Sequence, residues 1–594
     1  MSQPTLLANR PQKIYIIGAG IAGLLTADAI VELYEQQSGS ASIPLIEVLD
    51  QAPQVADKLT RGNGRSMAVT EGLIASGTMR EELEAAFKTP VAAGGMVYPG
   101  FVPTAADEAA IATYISGAGT ALDDSAIATQ LQNDALLRFG FANYELWQAF
   151  ARRNPDIAAK AGLQMDEKFR VYECANARDR AQREVAQLNR IGAEFGYDTC
   201  GRLLDYQDVL ALDPSLQTYF SDRLDEQGKF PGWITLQPGG VVNGKILAEA
   251  LEKKLVDSGK VTFTYNVKVC GVTWTRGGQL DGLTVFKAGA QVHIGSCSDQ
   301  FIFTTGGERL LNQAGVMPQE TFPIAGATIT IPVDEKIVRQ EIPFSRKSWK
   351  QDGIGPIVIS PTFCPSDQYL AFLDVFDPAS FDPAAPEVQV REFFSSQFLA
   401  AFDAKTFDPK TIDPRVIESF DPNAMGAKAG HWEIRVGGLK FYPGKTEALD
   451  LDHTGARWAL AELVRKAMEF MPDLMAQVLE HDLRAIVDQQ GKRTYQVTAE
   501  DIAKLQPWTG GRPMYNHGMA AVGAFCDNGF LLAGTGSWGM ACGLGNAAIV
   551  AQLVAHVPPA QIRLGQMATC WVVDYLERVQ PLHQAAPALA LTAG

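Results

Sequence analysis

The chain of 594 residues contains no Cys-x-x-Cys pair, and its eight cysteines run from Cys174 to Cys570 without regular spacing. That pattern excludes a disulfide framework and a zinc ribbon, and it points to reduced thiols in a cytoplasmic protein with no metal site. Basic residues are outnumbered, 51 Lys and Arg against 67 Asp and Glu, and no basic cluster interrupts the acidic background. A net charge of -16 excludes nucleic acid as a partner, because nucleic acid needs a basic footprint. Residues 1–13 lack the apolar core of a secretion signal. Asn528 to His556 lacks Asp, Glu, Lys and Arg, yet Gly534, Gly536, Gly539, Gly543 and Gly545 would break a spanning helix. A buried strand–loop–helix is expected there. No transmembrane segment is expected, and peripheral contact with the inner face of a membrane stays compatible with the sequence.

What is present is ordinary in bulk and specific in detail. A hydrophobic content of 46% suits a globular protein, and the length calls for two or more domains. Near the N-terminus an apolar run, Ile14 to Ile17, leads directly into Gly18-x-Gly20-x-x-Gly23 and then into a helical apolar pattern. Gly18 permits the tight turn, and Gly20 lets the backbone approach a pyrophosphate. Gly23 lets the helix pack closely on the strand. Ile21 and Ala22 stand at the helix N-terminus, whose free N–H groups and positive dipole end suit phosphate. A dinucleotide site follows. The second strand, Ile43 to Leu49, ends at Asp50, a carboxylate suited to a ribose diol. The polar loop Thr60 to Ser66 brings Asn63, Gly64, Arg65 and Ser66, which can lay backbone N–H groups along a cofactor. Arg65 is placed there to neutralise a phosphate or to face substrate.

Further along, Pro90 to Asp134 gives no chemical signal. Tyr144 to Leu188 reads as helical with charged faces, Gln237 to Gly240 as a turn, and Ile246 to Val256 as a helix. Two strands are expected over Val261 to Val272. A buried strand, Gln300 to Thr305, ends at Gly306-Gly307, where paired glycines suit close passage of a ligand. Five Asp-Pro pairs between Asp377 and Pro422 mark a loop-rich insertion at about 376–430. Trp432 to Tyr442 returns to strand, and Ala456 to Phe470 is an amphipathic helix ended before Pro472.

The C-terminal part is the most specific. Trp508 to Met514 (WTGGRPM), Val522-Gly523 and Gly534 to Gly545 (GTGSWGMACGLG) occur in that order. With the opening glycine motif, Asp213 to Leu216, Pro323-x-x-Gly326 and Ile434 to Gly438, this set resembles the D-amino-acid dehydrogenase branch of the glycine oxidase/D-amino-acid oxidase flavoprotein superfamily. The resemblance spans most of the chain, except residues near 80–140 and the Asp-Pro segment. Two departures fall near its expected active site. Thr535 stands where that branch usually has His, and Asn516-His517-Gly518 stands where it commonly has Asp-Gly.

The resemblance implies FAD. A glycine-rich return hundreds of residues after the first motif also suits FAD better than a nicotinamide, whose domain is complete within one contiguous stretch. It places Val267, Gly306, Gly536, Ser537, Gly539, Met540 and Ala541 among the cofactor-binding residues. Arg512 takes the position of the substrate-carboxylate clamp, with Tyr442 and Tyr515 as pocket tyrosines. The expected fold is α/β: a Rossmann-like FAD domain from residues 10–90, 225–320 and 500–560, and a mixed or antiparallel-sheet substrate domain from 140–224 and 321–499. Residues 575–594 are expected to form a flexible tail. The implied chemistry is oxidative deamination of an amino acid, D-amino acids leading, with a quinone or oxygen as electron acceptor. A secondary-amine oxidase of the sarcosine or glycine type, a flavin-dependent hydroxylase or halogenase, and a non-catalytic flavin-fold subunit are the alternatives.

Overall fold

The computed structural model describes residues 11–38, 43–70, 79–91, 95–117, 126–172, 178–304, 311, 322–333, 349–352, 357–375, 393, 428–444, 449–487, 493–515, 520–535 and 539–579. Nearly all of the Asp-Pro segment lies outside these residues, as do Gly306, Gly536, Ser537 and His517.

The opening strand β1 (Lys13–Ile17) is central to a six-stranded sheet. Its parallel neighbours are β2 (Leu45–Leu49) and β11 (Gln300–Thr304). Beyond β2 lies β7 (Val261–Thr264), and beyond β11 lie β20 (Gly529–Ala533) and the antiparallel edge strand β19 (Ala521–Cys526). A parallel strand covered on both faces needs apolar residues at every position, which explains the unbroken run of β1. Ile14 and Ile16 pack in the core that holds helices Ile21–Ser38, Gly244–Asp257 and Gly543–Val554. Tyr15 and Ile17 face the antiparallel sheet of β8 (Lys268–Trp274), β9 (Leu280–Lys287) and β10 (Ala290–Ile294).

A nine-stranded mixed sheet stands beside it. Its path runs β18 (Trp508–Met514), β12 (Phe322–Val333), β15 (Gly430–Phe441), β14 (Ile357–Pro365) and β13 (Trp349–Asp352). It continues through β4 (Gln164–Tyr172), β6 (Trp233–Val241) and β3 (Ser66–Ala68), with β5 (Arg202–Leu204) on β6. Among the described residues, the β13–β4 pairing is its one parallel pairing. Helix Thr454–Phe470 covers one face, burying Leu460, Leu463 and Val464 in the core with Ile329, Ile331 and Ile434. A separate antiparallel pair, β16 (Ala485–Val487) and β17 (Arg493–Tyr495), packs Tyr495 into the core beside that helix.

Several expectations need correction. Tyr144 to Leu188 is not continuously helical, because β4 separates helices Ala126–Arg153 and Arg178–Ala193. Phe169 and Val171 alternate into the nine-stranded core while β4 pairs β6. Gln237 to Gly240 is strand, not turn. Its glycines serve close strand approach, since a Cβ on Gly240 would lie 2.5 Å from the Gln164 carbonyl oxygen. The strands also divide differently between the sheets than the expected bounds. β3, β6 and β18 join the nine-stranded sheet, while Leu136, Phe139 and Leu188 pack with helix Ile21–Ser38. Residues 575–579 are the packed end of helix Thr569–Val579, where Tyr575 stacks on Phe139 at 3.8 Å.

Candidate active site

A cavity of about 430 Å³ lies between the two large sheets, a volume in the range of small-molecule sites. Its first wall is the turn after β1. Gly18 has φ +116°, a conformation open to glycine. A Cβ on Gly23 would lie 1.9 Å from the Gly18 carbonyl oxygen, so the helix touches the turn only because that side chain is missing. Gly18, Gly20, Ile21 and Ala22 line the cavity beside the helix N-terminus. The Ile21 N–H donates to Thr60 Oγ1 at 3.0 Å, tying the polar loop to that helix start. Asp50 also lines the cavity; its Oδ2 accepts from Ala19 N at 2.6 Å and its Oδ1 from Ala52 N at 2.8 Å. Each carboxylate oxygen retains accepting capacity, so a ribose hydroxyl can still be taken there. The tight Gly18 turn, the open helix start and Asp50 together fit the adenosine diphosphate end of FAD.

Asn63, Gly64 and Ser66 continue the lining, and Gly539 and Met540 close it from the C-terminal return. That return is the strand–loop–helix expected for Asn528 to His556: β20 leads to helix Gly543–Val554. Asn143 fixes the start of this helix by accepting from Gly545 N at 2.7 Å, and Trp147 donates to the Met540 carbonyl at 3.2 Å.

The opposite wall belongs to the nine-stranded sheet. Arg512 lines the cavity from β18, where it pairs with Ile324 of β12. A Cβ on Gly326 would lie 2.6 Å from Arg512 Nη1, so this glycine makes room for the guanidinium. Trp508 lies against Gly62 and Gly510, where added Cβ atoms would fall 2.1 and 2.2 Å from its ring. Lys440 is a lining residue missed in the sequence. The ladder of β12 and β15 shifts register between Ala325 and Ala327, opposite Gly438 to Phe441. Leu439 takes φ +50° at that shift. A bulge of this kind re-aims the following side chain, and here Lys440 reaches the cavity. The available signal was the Gly437-Gly438 pair before it.

Other expected residues lie elsewhere. Tyr442 is buried in an aromatic cluster with Phe87, Phe101 and Phe322, and its hydroxyl donates to Asp107 Oδ1 at 3.0 Å. Burial and that carboxylate push its ionisation up. Tyr515 is likewise buried, its ring against Gly534 and its carbonyl accepting from Tyr114 at 3.0 Å. Neither tyrosine lines the cavity. Arg65 is also absent from the lining; it is 4% exposed and ion-paired with Glu433. Val267 is buried and holds Asp50 through its N–H, 2.9 Å from the Asp50 carbonyl. Ala541 is buried beside Met540 and packs in the helix core.

The model of the family "FAD dependent oxidoreductase" (DAO) matches residues 13–553. No curated protein matches the sequence. Among solved structures, glycine oxidase from Geobacillus kaustophilus is similar at 12% identity and a TM-score of 0.49, over 95% of this chain and 99% of that one. L-Proline dehydrogenase from P. horikoshii is similar at 10% identity and 0.48, over 96% and 98%. L-Amino acid deaminase from Proteus vulgaris gives 10% and 0.47, over 96% and 99%. The family match spans both sheets and every wall of the cavity, and the chain belongs to the DAO family of FAD-dependent oxidoreductases.

Proposed function

We propose that this oxidoreductase oxidises an amino acid or a closely related amine at the carbon bearing nitrogen, with D-amino acids the leading class. The observation that carries this reading is the pair of cationic side chains, Arg512 and Lys440, on the cavity wall opposite the dinucleotide turn. A guanidinium and an ammonium group on one wall suit a carboxylate, and a substrate held by that carboxylate would present its α-carbon in one fixed orientation. When bound, FAD supplies the acceptor for a hydride and its two electrons. This chain's residues orient the substrate and exclude water. Trp508, wedged against Gly62 and Gly510, gives the wall an apolar, rigid face. The imine product then hydrolyses to an oxo acid and ammonia.

The D preference and a quinone acceptor rest on the resemblance of Trp508 to Met514 and Gly534 to Gly545 to the dehydrogenase branch. Among the described residues no helix is long and apolar enough to cross a membrane. The test is an anaerobic screen of flavin-loaded protein against D- and L-amino acids and N-methyl amines, read by loss of the oxidised flavin absorbance. Bleaching by a D-amino acid and not its mirror image supports the reading. Bleaching by N-methyl amines alone would move the assignment to a secondary-amine oxidase.

A further inference from the structure

The sheet wall continues past the cavity into a buried patch of donors. On β15, Trp432, Ile434 and Val436 enter the core under helix Thr454–Phe470, so Glu433, Arg435 and Gly437 share the opposite face. Gly437 lines the cavity, and Arg435 stands two residues further along the same face. Register places Thr330 and Ser360 beside Arg435, and Thr362 beside Glu433. Arg435 Nη1 donates to Thr328 Oγ1 at 3.0 Å. The methyl group of Thr328 would lie 2.8 Å from a Cβ on Gly437, so one side chain separates the guanidinium from the cavity edge.

The patch carries more positive charge than it neutralises. Arg435 and Arg65 are 8% and 4% exposed, and Glu433, paired with Arg65, is the carboxylate beside them. Among the described residues, Arg435 Nε, Arg65 Nη1, Ser360 Oγ and Thr362 Oγ1 are buried without a hydrogen-bond partner. Water can satisfy a hydroxyl, but it leaves a buried guanidinium charge uncompensated. Cys364, His431 and Glu433 lie close enough to hold a metal ion. A divalent ion would place further positive charge beside two guanidiniums, whereas an anion balances the patch.

We propose that this patch is an anion subsite for a second acidic group of the substrate, which makes the preferred substrate an amino acid with an acidic side chain. The proposal rests on the amine-oxidation reading, with Arg512 and Lys440 taking the α-carboxylate. Guanidinium groups flanked by hydroxyl donors match the geometry and charge of a carboxylate.

The test compares succinate with butyrate, unreactive acids of equal length, through the flavin absorbance shift on binding to flavin-loaded protein. Succinate binds at least about tenfold more tightly, the scale of one hydrogen-bonded charge, and Arg435→Met brings the ratio toward one. Equal affinities in the wild type would overturn the subsite, whether or not the variant folds. A ratio that survives Arg435→Met would also overturn it. So would a folded Arg435→Met variant that no longer holds flavin, which would assign Arg435 to the cofactor. In parallel, amino acids with acidic side chains are compared with their amides for flavin bleaching. Failure of every amino acid and amine to bleach the flavin would overturn the amine-oxidation reading, while the succinate-to-butyrate ratio still judges the subsite.

Discussion

At the scale of single residues, Arg512 and Tyr442 fall on different sides of the cavity boundary. Arg512 lines it and depends on Gly326 for room. Arg512→Met is expected to raise the Km for carboxylate substrates by an amount equivalent to about 2–5 kcal/mol, the cost of losing a charged partner in a closed site. Steady-state kinetics checks this, and an unchanged Km would remove Arg512 from the clamp. Tyr442 gives the opposite expectation. Its hydroxyl is spent on Asp107, so Tyr442→Phe should cost about 1 kcal/mol of stability and leave the rate of flavin reduction as it was. Glu433 provides a pH-dependent term. Burial alone would raise its carboxyl, but His431 and Arg65 outweigh burial and hold it at about 2. Its stabilisation is complete above the ordinary carboxylate value of about 4.3 and is lost as pH falls through the folded-state value. Urea unfolding of Glu433→Gln should show a loss of about 3–5 kcal/mol near neutral pH, because Arg65 stays buried without its partner. The gap from wild type should narrow as pH falls toward 2.

At the scale of elements, the helix start and the bulge decide what the cavity holds. Gly23→Ala places a methyl group against the Gly18 carbonyl and must lift helix Ile21–Ser38 from its turn. Such overpacking costs about 1–3 kcal/mol, and the purified variant is expected to melt earlier and retain less flavin. Lys440→Met is expected to keep its flavin and raise the Km for carboxylates, since Lys440 lies on the sheet wall and not at the dinucleotide turn. The placement of the glycine turn and of Arg512 on the cavity was legible in the sequence because each sits in a local motif whose spacing carries its geometry. Lys440 was not, because its direction depends on a register shift against β12, of which the sequence shows only the Gly437-Gly438 pair. Tyr442 and Tyr515 were misplaced for a related reason. Their partners Asp107 and Tyr114 come from helix Ala105–Gly117, in a stretch without chemical signal.

At the scale of the whole molecule, the cavity exists because two sheets meet across it. β1, β11 and β20 of the six-stranded sheet were foreseeable from apolar runs that end at or near glycine, and the nine-stranded sheet was foreseeable in kind but not in membership. β3, β6 and β18 reach it from segments expected in the cofactor domain, so the chain crosses between the sheets more often than contiguous bounds allow. These crossings bring Ser66 and Arg512 to one site although they are far apart in sequence. The proposed chemistry at this site is removal of hydrogen from the carbon next to a substrate nitrogen. Rapid mixing under anaerobic conditions, with the α-carbon bearing either hydrogen or deuterium, tests it most directly. The oxidised flavin absorbance should fall with a single preferred amino acid and fall more slowly with the deuterated form. Flavin that stays oxidised with every amino acid and amine would contradict it.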